Sequence, residues 1–317
     1  MRPGRQGLAI ATHGLVHIYR SEGNDVAALS GVDLRVAPGE MVGLLGPSGA
    51  GKSTLLTLLG GLFRPSAGKI FVGDVELSGL SGRTLDRMRA SQVSLMLQGA
   101  TRNLLPYWTP LENVEFAQHA ARSAGTDDLP AVEEVLDLVG LRDQATAPLP
   151  ELTPGHLQQA AVAVAIAGRA GVLLADEPTS QLDHEARDAV LQIIARVNAE
   201  TGTTVVLVTH DPEVARAMPR TITIRDGRIG GEGRKGEEYA VVSADGFLPL
   251  PAHALEVLPP GTLVRVHPED GTYRLVPEDH ADDAAPTRDR PEGAPTRDRP
   301  EGAPIRTTGA RAPEERS

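Results

Sequence analysis

From Gly46 to Thr54 the chain reads Gly-Pro-Ser-Gly-Ala-Gly-Lys-Ser-Thr, small residues set among glycines and closed by a lysine and two hydroxyls. The spacing G-x-x-x-x-G-K-[ST] suits phosphate chemistry. Gly46, Gly49 and Gly51 let the backbone through Pro47, Ser48 and Ala50 curl until its N–H groups face an anion. Lys52 brings a compact cation for β- and γ-phosphates. Ser53 offers a hydroxyl to Mg²⁺. The loop marks a nucleoside triphosphate site but does not say which kind of triphosphatase holds it.

Two further groups follow apolar runs. Asp176 and Glu177 come directly after Val172–Ala175. A carboxylate at the carboxyl end of a strand beside the phosphate-loop strand can hold Mg²⁺ through water. A second carboxylate next to it can polarise the attacking water, so Glu177 is the candidate general base. His210 comes after a third run, Thr204–Val208. Ligands of open α/β sheets gather at the carboxyl edge, which puts His210 within reach of a γ-phosphate.

Such groups converge only if the elements beneath them line up. Val42–Leu45 reads as a buried strand, and Leu55–Leu59 as the helix behind the loop. That helix adds partial positive charge at its N-terminus. From about Leu8 to Ile229, short apolar runs alternate with helical patterns and turn residues, the rhythm of an α/β domain with a mostly parallel sheet.

Composition narrows the function further. The 317 residues carry a formal net charge of −11, which argues against a nucleic-acid partner. Zero cysteines exclude a disulfide framework, a thiolate metal site and a Cys nucleophile. Aromatics at 3% leave Val, Leu, Ile and Ala to build the core. No apolar run is long enough to span a bilayer, and the start lacks the apolar stretch of a signal peptide. These features predict a soluble protein able to dock on a membrane protein.

Together the motifs resemble the ATP-binding subunit of ABC transporters, over about Leu8 to Ile229. Gly46 to Thr54 match Walker A, and Asp176 and Glu177 match Walker B with its catalytic glutamate. Gln98 matches the Q-loop glutamine, which in the family touches Mg²⁺ and links the site to the membrane subunit. Ser180-Gln181-Leu182-Asp183 matches the D-loop, His210 the switch histidine, and Tyr19 the aromatic that stacks on adenine. Residues Asn103 to Val114 resemble the segment after the Q-loop in the macrolide-exporter and lipoprotein-releasing branch. There the family faces the coupling helices of its permease, so Tyr107 and Trp108 are either interface aromatics or packed in the helical subdomain.

One motif departs from the family. Its Leu-Ser-Gly-Gly-Gln signature is here Leu152-Thr153-Pro154-Gly155-His156. In the family this motif holds the γ-phosphate bound on the opposite subunit. Thr153 is a good N-cap and Pro154 falls at N1, where proline is tolerated but removes one N–H. Gly155 keeps its N–H, and His156 replaces an amide with a titratable ring. Gln159 and Val164 stand where two arginines are expected. The resemblance implies a functional, slower ATPase, or a subunit with a degenerate signature side.

The remaining chain changes character. Tyr239 to Pro277 reads as strand, Asp245-Gly246 turn, strand, short helix, Pro260-Gly261 turn, strand, Asp270-Gly271 turn, strand. This order resembles the AbrB-like swapped-hairpin domain, although a plain hairpin extension fits as well. Its surplus of acids over Arg265 and Arg274 opposes DNA binding and favours dimerisation or regulation. Beyond Asp279 the sequence Ala285–Gly293 recurs as Ala294–Gly302, a low-complexity tail expected to be disordered.

The expected architecture is therefore α/β. Residues 1–235 form a P-loop ABC ATPase core with an antiparallel β subdomain and a helical subdomain at about 99–168. A small β module at 236–278 and a disordered tail at 279–317 follow. The resemblance implies ATP and Mg²⁺ as ligands, a second ATPase subunit (a copy or a homologue) and a separately encoded transmembrane permease. It places the chain peripherally on the cytoplasmic face of the membrane. The alternatives are a binding-only or slow regulatory subunit, and a non-transport ABC ATPase.

Overall fold

The computed structural model describes residues 7–21, 24–234, 237–242, 246–269 and 271–277. Strands β1 (Ile10–Ser21), β2 (Asn24–Val32), β3 (Arg35–Val36) and β4 (Met41–Leu45) lead to helix α1 (Lys52–Leu59). Next come β5 (Ala67–Val72), β6 (Val75–Glu76), α2 (Gly82–Ser91) and β7 (Val93–Met96). Helices α3 (Pro110–Ser123), α4 (Val132–Leu138) and α5 (Pro154–Ile166) precede β8 (Val172–Asp176), α6 (His184–Thr201), β9 (Thr204–Val208) and α7 (Pro212–Ala217). The chain continues through β10 (Arg220–Arg225), β11 (Arg228–Arg234), β12 (Glu237–Ala240), α8 (Ala252–Leu255), β13 (Val264–Glu269) and β14 (Thr272–Pro277).

One sheet runs β12-β11-β10-β4-β9-β8-β7. From β10 to β7 all neighbours are parallel, while β11 and β12 add antiparallel strands at one edge. A second sheet, β2-β1-β5-β6 with β3 also on β1, is antiparallel. The parallel strands are buried on both faces, and period-two alternation divides them between two cores. Val172 and Leu174 of β8, with Val206 and Val208 of β9, pack with α1 and the antiparallel sheet. Leu173, Ala175, Val205 and Leu207 face the helical side, with Val114, Leu136 and Ile194. The largest fully buried side chains are all Leu, Ile or Met, as the scarcity of aromatics requires.

The strand carrying Asp176 does not lie beside the phosphate-loop strand, as the sequence reading expected. β9 is inserted between β4 and β8. Chain order carries no spatial order here, and the fully buried Val-rich β9 suits the sheet centre. α1 packs across both β9 and β8, which brings its first turn to Asp176.

The C-terminal part also differs. The chain divides into two compact units after Val257 rather than after residue 235. β12, the first strand expected of the module, pairs with β11 in the large sheet. No strand forms at Phe247–Pro251, where Pro249 and Pro251 have no N–H to offer a ladder. In the second unit β13 and β14 form an antiparallel hairpin. Asp245, Asp270 and the repeat tail lie outside the described residues. In the first unit both aromatics, Tyr107 and Trp108, are exposed, at 97% and 38%, and Trp108 sits edge-to-face on the exposed Phe116 at 5.4 Å.

Candidate active site

In the loop between β4 and α1, Gly46 and Gly51 leave no room for a side chain unless backbone moves. Gly46 has φ +141° and Gly51 φ +100°. A Cβ on Gly46 would lie 2.1 Å from the Ile224 carbonyl oxygen, and one on Gly51 2.4 Å from that of Ala28. Gly49 is also left-handed, but open space surrounds it. Lys52 opens α1 and is buried, donating from Nζ to the carbonyls of Gly46 and Pro47 at 2.8 Å each. The lysine thus folds back over the loop and holds its cation at the centre of the curl.

Ser53 Oγ donates to Asp176 Oδ1 at 3.1 Å, linking the start of α1 to the end of β8. Burial pushes the Asp176 carboxyl above its ordinary range; the Ser53 bond opposes this, the Glu177 charge adds to it, and Lys52 opposes it. The partly desolvated Asp176 carboxylate and the Ser53 hydroxyl beside it form a hard oxygen donor pair. Those residues fit Mg²⁺, which favours one or two carboxylates with hydroxyl, phosphate and water oxygens.

Glu177 has a left-handed backbone at φ +47°, and its N–H donates to the Val208 carbonyl at 3.0 Å. Its carboxylate is held from both sides. Gln98 Nε2 donates to Oε2 at 2.8 Å, and His210 Nδ1 lies 2.8 Å from Oε1. An ionised carboxylate only accepts, so Nδ1 carries the proton. Each member of this trio lies within two residues of the end of β7, β8 or β9. A cleft of about 420 Å³ opens beside them, lined by Gln98, Glu177, Thr179, Asp183, Arg187 and His210.

Tyr19 projects from β1 at 42% exposure, and its Oη meets Thr54 Oγ1 at 3.2 Å. His17 packs edge-on against it at 4.7 Å, and Phe63 flanks it at 6.4 Å. The sequence reading did not single out these two supports. His17 had a signal, since residues two apart on a strand share a face. Asp183 caps α6, accepting from Ala186 N–H at 2.8 Å. Thr153 caps α5, accepting from His156 N–H at 3.2 Å, with Pro154 in the first turn. A Cβ on Gly155 would lie 3.1 Å from the Ala186 Cβ. Among the described residues Thr153 and Gly155 share no hydrogen bond with the Lys52, Asp176 and Glu177 group.

Known proteins bear on this arrangement. Residues 29–180 match the family described as ABC transporter. The methionine import ATP-binding protein MetN of Streptomyces coelicolor is 38% identical, over 74% of this chain and 68% of its own. The lipoprotein-releasing system ATP-binding protein LolD 2 of Caulobacter vibrioides is 39% identical, over 69% of this chain and 96% of its own. The chain belongs to the ABC transporter ATP-binding family. A dimeric ATP-binding cassette, MJ0796 bound to ADP and Pi, superposes with a TM-score of 0.64 at 31% identity, covering 71% of this chain and 98% of that one. This ABC subunit binds ATP, uses Mg²⁺, and hydrolyses ATP to power transport. ABC ATP-binding subunits work with transmembrane permease subunits, and among the described residues no helix is long and apolar enough to cross a membrane.

Proposed function

We propose that the residues gathered at the strand ends carry out hydrolysis in these roles. Lys52 and the loop amides from Gly46 to Thr54 hold the phosphates, and Tyr19 stacks on adenine. Ser53, Gln98 and Asp176 arrange Mg²⁺. When bound, the ion neutralises phosphate oxygens as charge shifts toward the leaving group. Glu177 accepts a proton from the attacking water. Gln98 and His210 occupy two of about four acceptor positions on its carboxylate, which leaves room for that water. His210 steadies the γ-phosphate as charge develops. The shared Glu177 carboxylate, reached from two strands at once, is the observation that most supports this reading.

Two such subunits, copies or homologues, sandwich two ATP molecules, with Thr153 and Gly155 of each facing the nucleotide of the other and Asp183 at the seam. The dimeric MJ0796 cassette supports this assembly. The pair works on the cytoplasmic face of a membrane, with exposed Tyr107 toward a separately encoded permease. The near-complete coverage of LolD 2 supports the macrolide-exporter and lipoprotein-releasing branch. Isolation of the tagged full chain in mild detergent tests this reading. Recovery of a polytopic permease agrees with it; recovery of ribosomes or nucleic acid without a permease contradicts it.

A second reading has its own support. Pro154 gives up an N–H at the start of α5, and His156 replaces an amide, so this subunit turns over slowly. For the C-terminal module the proposed role is contact between copies, in keeping with an AbrB-like domain. Val264, Val266 and Pro268 pair with Pro277, Leu275 and Tyr273, giving the hairpin one apolar face. A lone two-stranded hairpin is marginal in water.

A further inference from the structure

The switch histidine is followed by Asp211, whose carboxylate does two jobs. Oδ1 caps α7 by accepting from Glu213 N–H at 2.8 Å. Oδ2 accepts from Arg187 Nη1 at 3.4 Å, and the same guanidinium nitrogen bonds Glu213. Arg187 Nε also donates to Asp188 at 2.9 Å. The arginine side chain is only 13% exposed, ringed by three acids, and hydrogen bonding to Asp188 and Glu213 raises its pKa further. The Asp211 carboxyl is held below its ordinary range, chiefly by the backbone bond from Glu213 and also by Arg187.

Arg187 lies one turn into α6, and its own N–H donates to the Asp183 carbonyl at 2.9 Å. On the far side of His210, Thr209 N–H donates to the Leu44 carbonyl of β4 at 3.1 Å. Thus the turn bearing His210 is anchored twice. One anchor is the strand that feeds the phosphate loop, and the other is the helix that Asp183 begins.

The geometry points to Arg187 as a positioning residue: it locks the first turn of α6 to the Asp211 turn, so that Asp183 and His210 move as one body against Glu177. The inference rests on the role proposed above for His210. The Arg187 guanidinium bonds Asp188, Asp211 and Glu213 rather than Glu177 or His210, and acts through the aim of the imidazole. A Lys at 187 keeps the charge but cannot span three acids with a planar fork.

Steady-state phosphate release and ATP binding by the full chain test this in a two-by-two cycle of Arg187→Ala and His210→Ala. Arg187→Ala alone lowers kcat about tenfold or more, with ATP affinity changed less than about twofold. In the His210→Ala background the second change costs less than about twofold, because nothing is left to aim. Equal losses in both backgrounds would overturn the inference, leaving Arg187 a purely structural residue. Full turnover by His210→Ala alone would overturn the role of His210 and the inference with it. Asp211→Asn is the second variant should Arg187→Ala fold poorly. It keeps an oxygen for the α7 cap while removing the charge that draws Arg187, and it shows the same background dependence, whereas equal losses again contradict the inference.

Discussion

His210 Nδ1 lies 2.8 Å from Glu177 Oε1, so the loop after β9 and the residue after β8 share one proton-bearing contact. That contact fixes the imidazole tautomer. To donate from Nδ1 to a phosphate oxygen, the ring must release Glu177. His210→Ala should lower turnover by about a hundredfold while leaving ATP affinity near its original value. A paired fall in affinity and turnover, read by nucleotide titration beside phosphate release, would move His210 from the transition state to ground-state binding.

Tyr19 should contribute affinity without choosing the base. Tyr19→Ala is expected to weaken ATP binding by about 0.5–1.5 kcal/mol, and GTP binding equally. Tyr19→Phe removes only the contact with Thr54 and should bind ATP almost as the parent does. Fluorescent-nucleotide titration checks both; a selective loss of ATP over GTP would show base readout instead of stacking.

The signature departure is testable by reversal. Pro154→Gly with His156→Gln restores an N–H and an amide at the start of α5. If that end of α5 limits the reaction, the double variant raises kcat several-fold at saturating ATP. Thr153→Ala removes the cap seen at α5 and should cost about 1 kcal/mol of stability by thermal melting. Unchanged kcat in the double variant would place the limit elsewhere.

Acid stability offers a separate check on the sheet edge. Glu232 of β11 accepts from Arg220 at 2.8 and 3.1 Å, and Arg220 also reaches Glu40 at 3.0 Å. Burial pushes the Glu232 carboxyl up, but the bonds from Arg220 and Arg234 outweigh it and hold it below the ordinary 4.5. A depressed pKa stabilises the fold above the unfolded value, and that stability disappears as pH falls through the folded value. Glu232→Gln should therefore cost about 1–3 kcal/mol near neutrality, with the gap in Tm closing below about pH 4.5. A gap independent of pH would show that charge is not the source.

Much of this was legible in the residues. The runs Val172–Ala175 and Thr204–Val208 read as buried strands because both faces are apolar, and they fold as β8 and β9. The loop glycines were legible from the G-x-x-x-x-G-K-[ST] spacing, since a phosphate curl needs backbone conformations that favour glycine. Spatial order was not legible: nothing local in Thr204–Val208 says that it lies between β4 and β8. Nor could the sequence place Glu237–Ala240, since an exposed four-residue strand joins an edge through backbone bonds alone. Arg187 escaped notice because its partners, Asp211 and Glu213, are distant in sequence, and an arginine in a first helical turn carries no motif.

The claim on which the rest depends is that Glu177 is the base. The direct measurement is phosphate release by the Glu177→Gln chain with saturating ATP and Mg²⁺, alongside equilibrium ATP binding. The account predicts turnover reduced by about a hundredfold or more, with ATP still bound at near-parental affinity. Phosphate release at the parental rate would contradict it, and would require another residue to activate the water.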